Sequence, residues 1–249
     1  KAFNQKAGRI DVSLFGSTFF GYRAGNQTLG IANTAMGFQA FRSNNTGTQN
    51  TVIGYEALSN NISGSVNVAN GYYALFSNIS GSQNTGIGYQ ALVGNTAGNN
   101  NTAIGSLSLA NNKTGYSNVA IGAQALRFSS DKSNLVAIGD SALYNNGQSS
   151  PLSWQATANT AIGSKALFLN SNGSDLTATG YNSLYNNTSG VANAAYGSLS
   201  LQYNTTGSAN TAFGFSSLEI NQTGSYNTGI GAQALRFNHG SQYNTALGY

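Results

Sequence analysis

The sequence predicts an all-β fold, a β-solenoid or β-roll in which short strands stack in parallel, coil above coil. Three observations predict it. A glycine recurs at every seventeenth position through nearly the whole chain. Large and small residues keep fixed offsets from that glycine. The polar positions are filled by Asn, Ser, Thr and Gly, and only 6% of the residues are Asp, Glu, Lys or Arg, against about 25% in an ordinary soluble domain.

The anchor glycine closes the phrase Asn-Thr-Ala-Ile-Gly, as at 101–105. It stands at Gly37, Gly54, Gly71, Gly88, Gly105, Gly122 and Gly139, always at the same seventeen-position interval. One longer step, of twenty-four positions, leads to Gly163, and the shorter interval resumes at Gly180, Gly197, Gly214, Gly231 and Gly248. Gly21, one position nearer to Gly37 than the interval requires, starts the series. A period of this length marks stacked repeats, here about thirteen 17-residue coils.

The other columns keep the same register. Four residues before the anchor stands Asn, as at Asn33, Asn50, Asn67 and Asn84, with Leu135 and Leu176 as exceptions. Two before it stands a small residue, usually Ala, and one before it a large apolar residue, most often Ile. Four after it comes Leu, or Phe41 in the first full repeat. Seven after it comes Asn, except for Ser129, and ten after it a second Gly is common.

A unit this short cannot hold two helices and suits two short strands and two turns. Thr102-Ala103-Ile104 reads as one strand, short and alternating. The anchor glycine, free to take φ > 0, makes the corner. The Ala-Leu segment reads as the second strand, and Asn-x-Thr-Gly as the second turn. A helix is excluded because Asn, Thr and Gly interrupt every unit, and the Ile and Leu columns, five apart, share no helical face. Fixed position predicts a core of Leu109, Leu126, Leu201 and Leu218, with Ile104 and Ile121 facing the same interior. The small column points to close backbone approach, and stacked Asn side chains can bond amide to amide up each column.

The expected domains are an N-terminal extension at 1–20, a cap or a donated strand, and a solenoid at 21–249 with a loop insertion near 148–156. The extension includes Arg9-Ile10-Asp11-Val12-Ser13-Leu14, which alternates like a strand. The insertion holds Pro151 and Trp154, the only proline and tryptophan, and both are candidate contact residues because solenoid insertions become surface loops. The sequence closes on Asn244–Tyr249, the opening of a coil. The expectation there is end-to-end joining, with residues 1–16 adding a strand to a neighbour, or else a further coil.

Composition narrows the chemistry. Without cysteine there is no disulfide framework or thiolate chemistry. No apolar run approaches the ~18 residues of a membrane-spanning helix. The net charge of +4 is spread thinly, with no basic run to track a nucleic acid backbone. His239 is the only histidine and falls in a turn. Asp11, Glu56, Asp131, Asp140, Asp175 and Glu219 lie in different columns or distant coils. No catalytic, cofactor or metal site is therefore expected, and no enzyme activity. Gly86-Ile87-Gly88-Tyr89-Gln90-Ala91 loosely matches a dinucleotide fingerprint, but Gly86 belongs to the small column.

Other columns invite binding readings. Asn44, Asn61, Asn78, Asn112, Asn187, Asn204 and Asn221 open Asn-x-Ser/Thr sequons and are candidate glycosylation sites, although an Asn-x-Thr turn spells the motif unaided. The Thr column three before the anchor is single and alternates with Ile, which argues against an ice-binding face. The aromatics just after the anchor (Phe38, Tyr55, Tyr72, Tyr89, Tyr181, Phe215, Tyr249) are expected to bury against neighbours more than to stack on sugars. Each coil buries few large side chains against the entropy of ordering its whole backbone. A homo-oligomer sharing lateral burial is expected.

The phrases Asn101-Thr102-Ala103-Ile104-Gly105 and Asn118-Val119-Ala120-Ile121-Gly122 resemble the head repeats of trimeric autotransporter adhesins, the YadA-like left-handed β-roll. Related coils occur in other bacterial and phage fibre proteins. The resemblance runs from about Gly21 to Tyr249. It implies a homotrimer with the Ile column inside each roll, and a role in attachment at a bacterial surface or on a virion. The coil is longer than the usual head repeat, and neither a heptad stalk nor a membrane-anchor barrel is present in this sequence. The expected function is a structural segment of an extracellular fibre. The alternative is an adhesin head or phage tail-fibre segment that binds a surface receptor or glycan.

Overall fold

The structure is a computed structural model that describes residues 8–10, 16–148, 152 and 154–249. It is an all-β solenoid of stacked coils, divided into a first unit, residues 1–118, and a second unit, residues 119–249. In the first unit the strands are β1 (Gly8–Ile10), β2 (Thr18–Phe20), β3 (Thr34–Met36), β4 (Thr51–Ile53), β5 (Val68–Asn70), β6 (Thr85–Ile87) and β7 (Thr102–Ile104). In the second they are β8 (Val119–Ile121), β9 (Val136–Ile138), β10 (Thr160–Ile162), β11 (Thr177–Thr179), β12 (Ala194–Tyr196), β13 (Thr211–Phe213), β14 (Thr228–Ile230) and β15 (Thr245–Leu247).

Within each unit, successive strands from β2 to β7 and from β8 to β15 pair in parallel, with like columns aligned. Ile87 lies beside Ile104, for example, and Thr85 beside Thr102. The register holds across the one long step, where Val136 lies beside Thr160. At the start of the first unit β1 runs antiparallel to β2, Gly8 opposite Phe20, and covers that edge within the same chain. The neighbouring residues 1–7 and 11–15, with Asp11, lie outside the described set.

Each coil has one strand, not the two expected. The Ala-Leu segment is a turn, because the residues two and four after the anchor both take φ near +50°, as at Glu56 (48°) and Leu58 (47°). The residue five before the anchor does the same, as at Val66 (59°). A left-handed Leu costs about 1–2 kcal/mol. It is held because its side chain has nowhere else to go: Leu58, Leu75, Leu92, Leu109, Leu126 and Leu218 are all fully buried. The anchor glycine does make the corner. At Gly71 φ is +144°, and a Cβ there would stand 2.3 Å from the Gly88 carbonyl oxygen.

The Leu column is core as expected, but the Ile column is not. Ile53 and Ile104 are exposed, and Ile121 is half-buried. The buried strand position is the small one: Ala69, Ala103, Ala120 and Ala137 have no exposure. The reason is width. At Gly86, in that column, even a Cβ would stand 3.2 Å from Leu75 Cγ. In most coils the interior therefore has room for about a methyl group beside the Leu, with Val52 and Phe19 as larger buried members of the column, and the bulky member of the Ala-Ile pair faces outward.

Candidate functional site: paired asparagine ladders and an outward face

Both Asn columns of the first unit are fully buried, and their amides form two continuous ladders there. In the ladder before the strand, Asn67 donates from its backbone N to Asn50 Oδ1 at 2.9 Å and from Nδ2 to the same oxygen at 3.1 Å. Its Nδ2 also donates to the Gly81 carbonyl at 2.9 Å. In the ladder of the second turn, Asn78 Nδ2 donates to Asn61 Oδ1 at 2.8 Å and again to Gly81 O at 2.9 Å. The Gly81 carbonyl thus joins the two ladders. Asn67 and Asn78 each have both amide hydrogens engaged and the oxygen accepting, which removes the cost of burying them. The second glycine is required by contact: a Cβ at Gly81 would stand 2.4 Å from Asn78 Oδ1 and from Gly98 O.

This geometry overturns the glycosylation reading. Asn44, Asn61, Asn78, Asn112, Asn187, Asn204 and Asn221 are all fully buried. A glycan linked to Nδ2 would replace a hydrogen that the ladder uses, as Asn204 uses its two on Asn187 Oδ1 and Gly207 O, and it would have no path to solvent in the folded coil.

In the second unit the ladders are interrupted. One turn carries Ser129, Lys132 and Leu135 where other coils have Asn, Gly and Asn. Lys132 is 1% exposed; its stem packs on Gly147, and Nζ donates to the Leu152 carbonyl at 2.9 Å, with Asp131 Oδ1 at 3.5 Å. Leu135 and Leu176 fill the Asn volume with hydrocarbon and are buried. Asn146 carries the turn ladder across the step, donating to the Ala156 carbonyl and accepting from Asn159 and Asn170.

The insertion is fastened at Trp154, whose carbonyl accepts from Thr157 Oγ1 at 2.9 Å and Ser174 Oγ at 3.2 Å. The Trp154 side chain is 66% exposed. Pro151 lies outside the described residues. His239 is exposed in its turn. Of the carboxylates, Glu219 is bound by Arg236 Nε at 2.8 Å, and Asp131 lies by Lys132.

No family model, curated protein or solved structure matches this chain. What it offers must therefore be read from its own surface.

The exposed large side chains line up in columns. The first and third residues of a strand point outward together, on either side of a buried middle residue, as Thr51 and Ile53 flank Val52 and Thr102 and Ile104 flank Ala103. Just past the glycine corner of the first unit, Tyr22, Phe38, Tyr55, Tyr72 and Tyr89 stack ring on ring at 5.0–5.5 Å, tilted by 7–16°. The rings cover one another's faces and offer solvent mainly their edges. Sugars stack on ring faces, so the row is a poor sugar platform along its length. Loss of hydration within the row, then the Glu56 carboxylate, raises the Tyr55 phenol above its ordinary value. Loss of hydration, then a hydrogen bond with Tyr72, raises Tyr73 likewise.

The sequence reading missed two features. Lys132 was legible as a charged residue in a glycine column. The outward Ile column had no signal, because strand alternation does not say which of two faces is the inner one.

Proposed function

We propose that the chain is a structural segment of an extracellular fibre, kin to YadA-like heads or to phage fibres, that assembles with other copies of itself. The paired, buried asparagine ladders carry this reading. They stiffen each coil against the next and are spent wholly on internal bonding, and the columns around them hold few ionisable groups. Such coils build a repetitive rod and its side walls, not a reaction centre, so no catalysis belongs to this reading. The test is electron microscopy of the purified protein. Long continuous fibres support it, and short rods that never associate sink it.

Trp154 favours a second reading, attachment to a surface receptor or glycan. A carbonyl fixed by two hydrogen bonds anchors the backbone that presents an exposed indole, and exposed aromatics are common contact anchors. Trp154→Ala should then abolish binding to cells or immobilised glycans and leave assembly intact. Unchanged binding would remove this reading.

A further inference from the structure

We infer that the strand face of the first unit is a lateral contact surface for a second copy of the same face. This rests on the self-assembling reading above and adds where the copies touch. Three columns make the surface: the Thr and Ile columns of β2 to β7 and the aromatic column beyond the corner. Across these six coils the three columns hold no Asp, Glu, Lys or Arg. Phe20 is 64% exposed, Met36 47% and Tyr89 50%. Charge first appears one column further on, at Arg23 and Glu56, as a rim. An uncharged apolar centre with a polar rim is how protein interfaces are built.

Pitch identifies the partner. The rows repeat once per coil, about 4.8 Å for paired strands, and the aromatic row follows at 5.0–5.5 Å. A partner that meets ridges of this spacing along their whole length must share the spacing. A second copy does so by construction, and like rows then interdigitate as in a dry zipper between sheets. An ordinary globular partner would match one or two rows and leave the rest wet.

Area agrees. Five residues from the Thr column to the aromatic column, at about 3.3 Å each and 4.8 Å per coil, give about 80 Å² per coil. Six coils give about 480 Å², within the range of the largest apolar patches on single chains, which are often functional. Two such faces together reach the roughly 1,000 Å² at which specific interfaces begin. A contact of a face with itself is isologous and closes on a two-fold axis.

The experiment compares the full chain with two double variants by light scattering, sedimentation and electron microscopy, with the thermal midpoint as a folding check. Thr51→Lys with Thr85→Lys places charge in the centre of the face, at exposed or half-exposed positions that the fold does not need. Ile62→Lys with Ile79→Lys changes exposed apolar residues of the second turn. Lateral association weakened about 100-fold or more in the first variant and kept in the second is the expected result. Equal association by the face variant, or equal loss in both variants, overturns the inference. Wild-type fibres only one chain wide overturn it while leaving the fibre reading intact, whereas wild-type chains that never associate sink both. A face that slows ice growth in a Thr51- and Thr85-dependent way without pairing would make ordered water its partner and also overturn the inference.

Discussion

Two turns of the same repeat, one in each unit, show what the coil requires. In the first unit, Asn61, Gly64 and Asn67 stand in one turn. Gly64 O accepts from Asn50 Nδ2 at 3.1 Å and from Asn61 Nδ2 at 2.9 Å, and a Cβ there would stand 2.2 Å from Gly81 O. In the second unit the same three positions hold Ser129, Lys132 and Leu135, and the next coil is the one with the long step between anchors, from Gly139 to Gly163. The three changes stand together in this turn, whereas Leu176 replaces its Asn alone, with Asn170 and Gly173 kept and bonded. A substituted glycine keeps its carbonyl, as Ser241 shows by accepting from Asn227 and Asn238; what glycine supplies is room against the neighbouring coil. Where the following coil bulges outward, the room that glycine must leave elsewhere is filled by a lysine stem. The exchange is not complete: Asn112 Oδ1 and Ser129 Oγ, one in each unit, are buried without a hydrogen-bond partner among the described residues.

The comparison breaks first if the exchange can be made in the regular turn. Gly81→Lys forces a side chain to where Gly98 O and Asn78 Oδ1 lie 2.4 Å from the Cβ position. It should cost more than about 4 kcal/mol, the range of a broken buried network. A thermal midpoint moved by only a degree or two would show that the close approach is dispensable. Asn67→Ala comes next. It takes the acceptor from the backbone N–H and from Nδ2 of Asn84, while Asn50 Oδ1 keeps the backbone N–H of residue 67 and Gly81 O keeps Asn78 Nδ2, and should cost about 2–6 kcal/mol at about 1–3 kcal/mol for each of the two buried donors left unpaired. Urea unfolding measures it, and a loss below about 1 kcal/mol would mean that water replaces the ladder.

Smaller effects sharpen the contrast in the second unit. Lys132→Met removes the bond to Leu152 O and should cost about 1–2 kcal/mol, felt locally in the insertion. Trp154, the only tryptophan, reports it: its fluorescence should change while the backbone circular dichroism at room temperature does not. An unaltered emission spectrum would mean that Lys132 does not position the loop. Leu176→Asn offers an amide again beneath Asn193, whose Nδ2 already donates to Gly207 O at 2.7 Å. Stability should shift by less than about 1 kcal/mol either way, because a new amide pair is set against lost hydrocarbon. A large loss would show that the neighbourhood of Leu176 has become wholly apolar.

The least effect is that of pH. The Tyr55 and Tyr73 phenols are raised in the fold, so the folded chain holds these protons more tightly than the unfolded one. The associated stability is present below the ordinary phenol range near pH 10 and is lost as pH rises through the raised values. An ultraviolet titration should show late-ionising phenolate that disappears in Tyr55→Phe with Tyr73→Phe. If the substitutions remove early-ionising phenolate instead, the Glu56 neighbourhood does not act as described.

Much of this was legible beforehand because a stack repeats its environment. A residue type kept in every coil must suit one environment many times over, which is why the Asn and Leu columns and the anchor glycine could be read as ladder, core and corner. Leu58 shows the limit. Left-handed backbone is ordinarily a signal for Gly or Asn, and Leu at φ 47° breaks that rule because burial outweighs the strain. A Leu beside an Ala therefore looked like a strand and is a turn.

The sequence by itself determined the period, the columns, the β-solenoid class and the place of the insertion, since each follows from spacing alone. Only the tertiary structure decided which side of the strand faces in. Ala-in with Ile-out and Ile-in with Ala-out differ by a single residue of register and alternate identically. The choice is made across the coil, where the left-handed turns bring Leu75 so near the strand that the facing position is small, as at Gly86 and Ala103, with the buried Val52 and Phe19 as exceptions in earlier coils. That distance is a property of the closed coil and of no stretch of sequence within it.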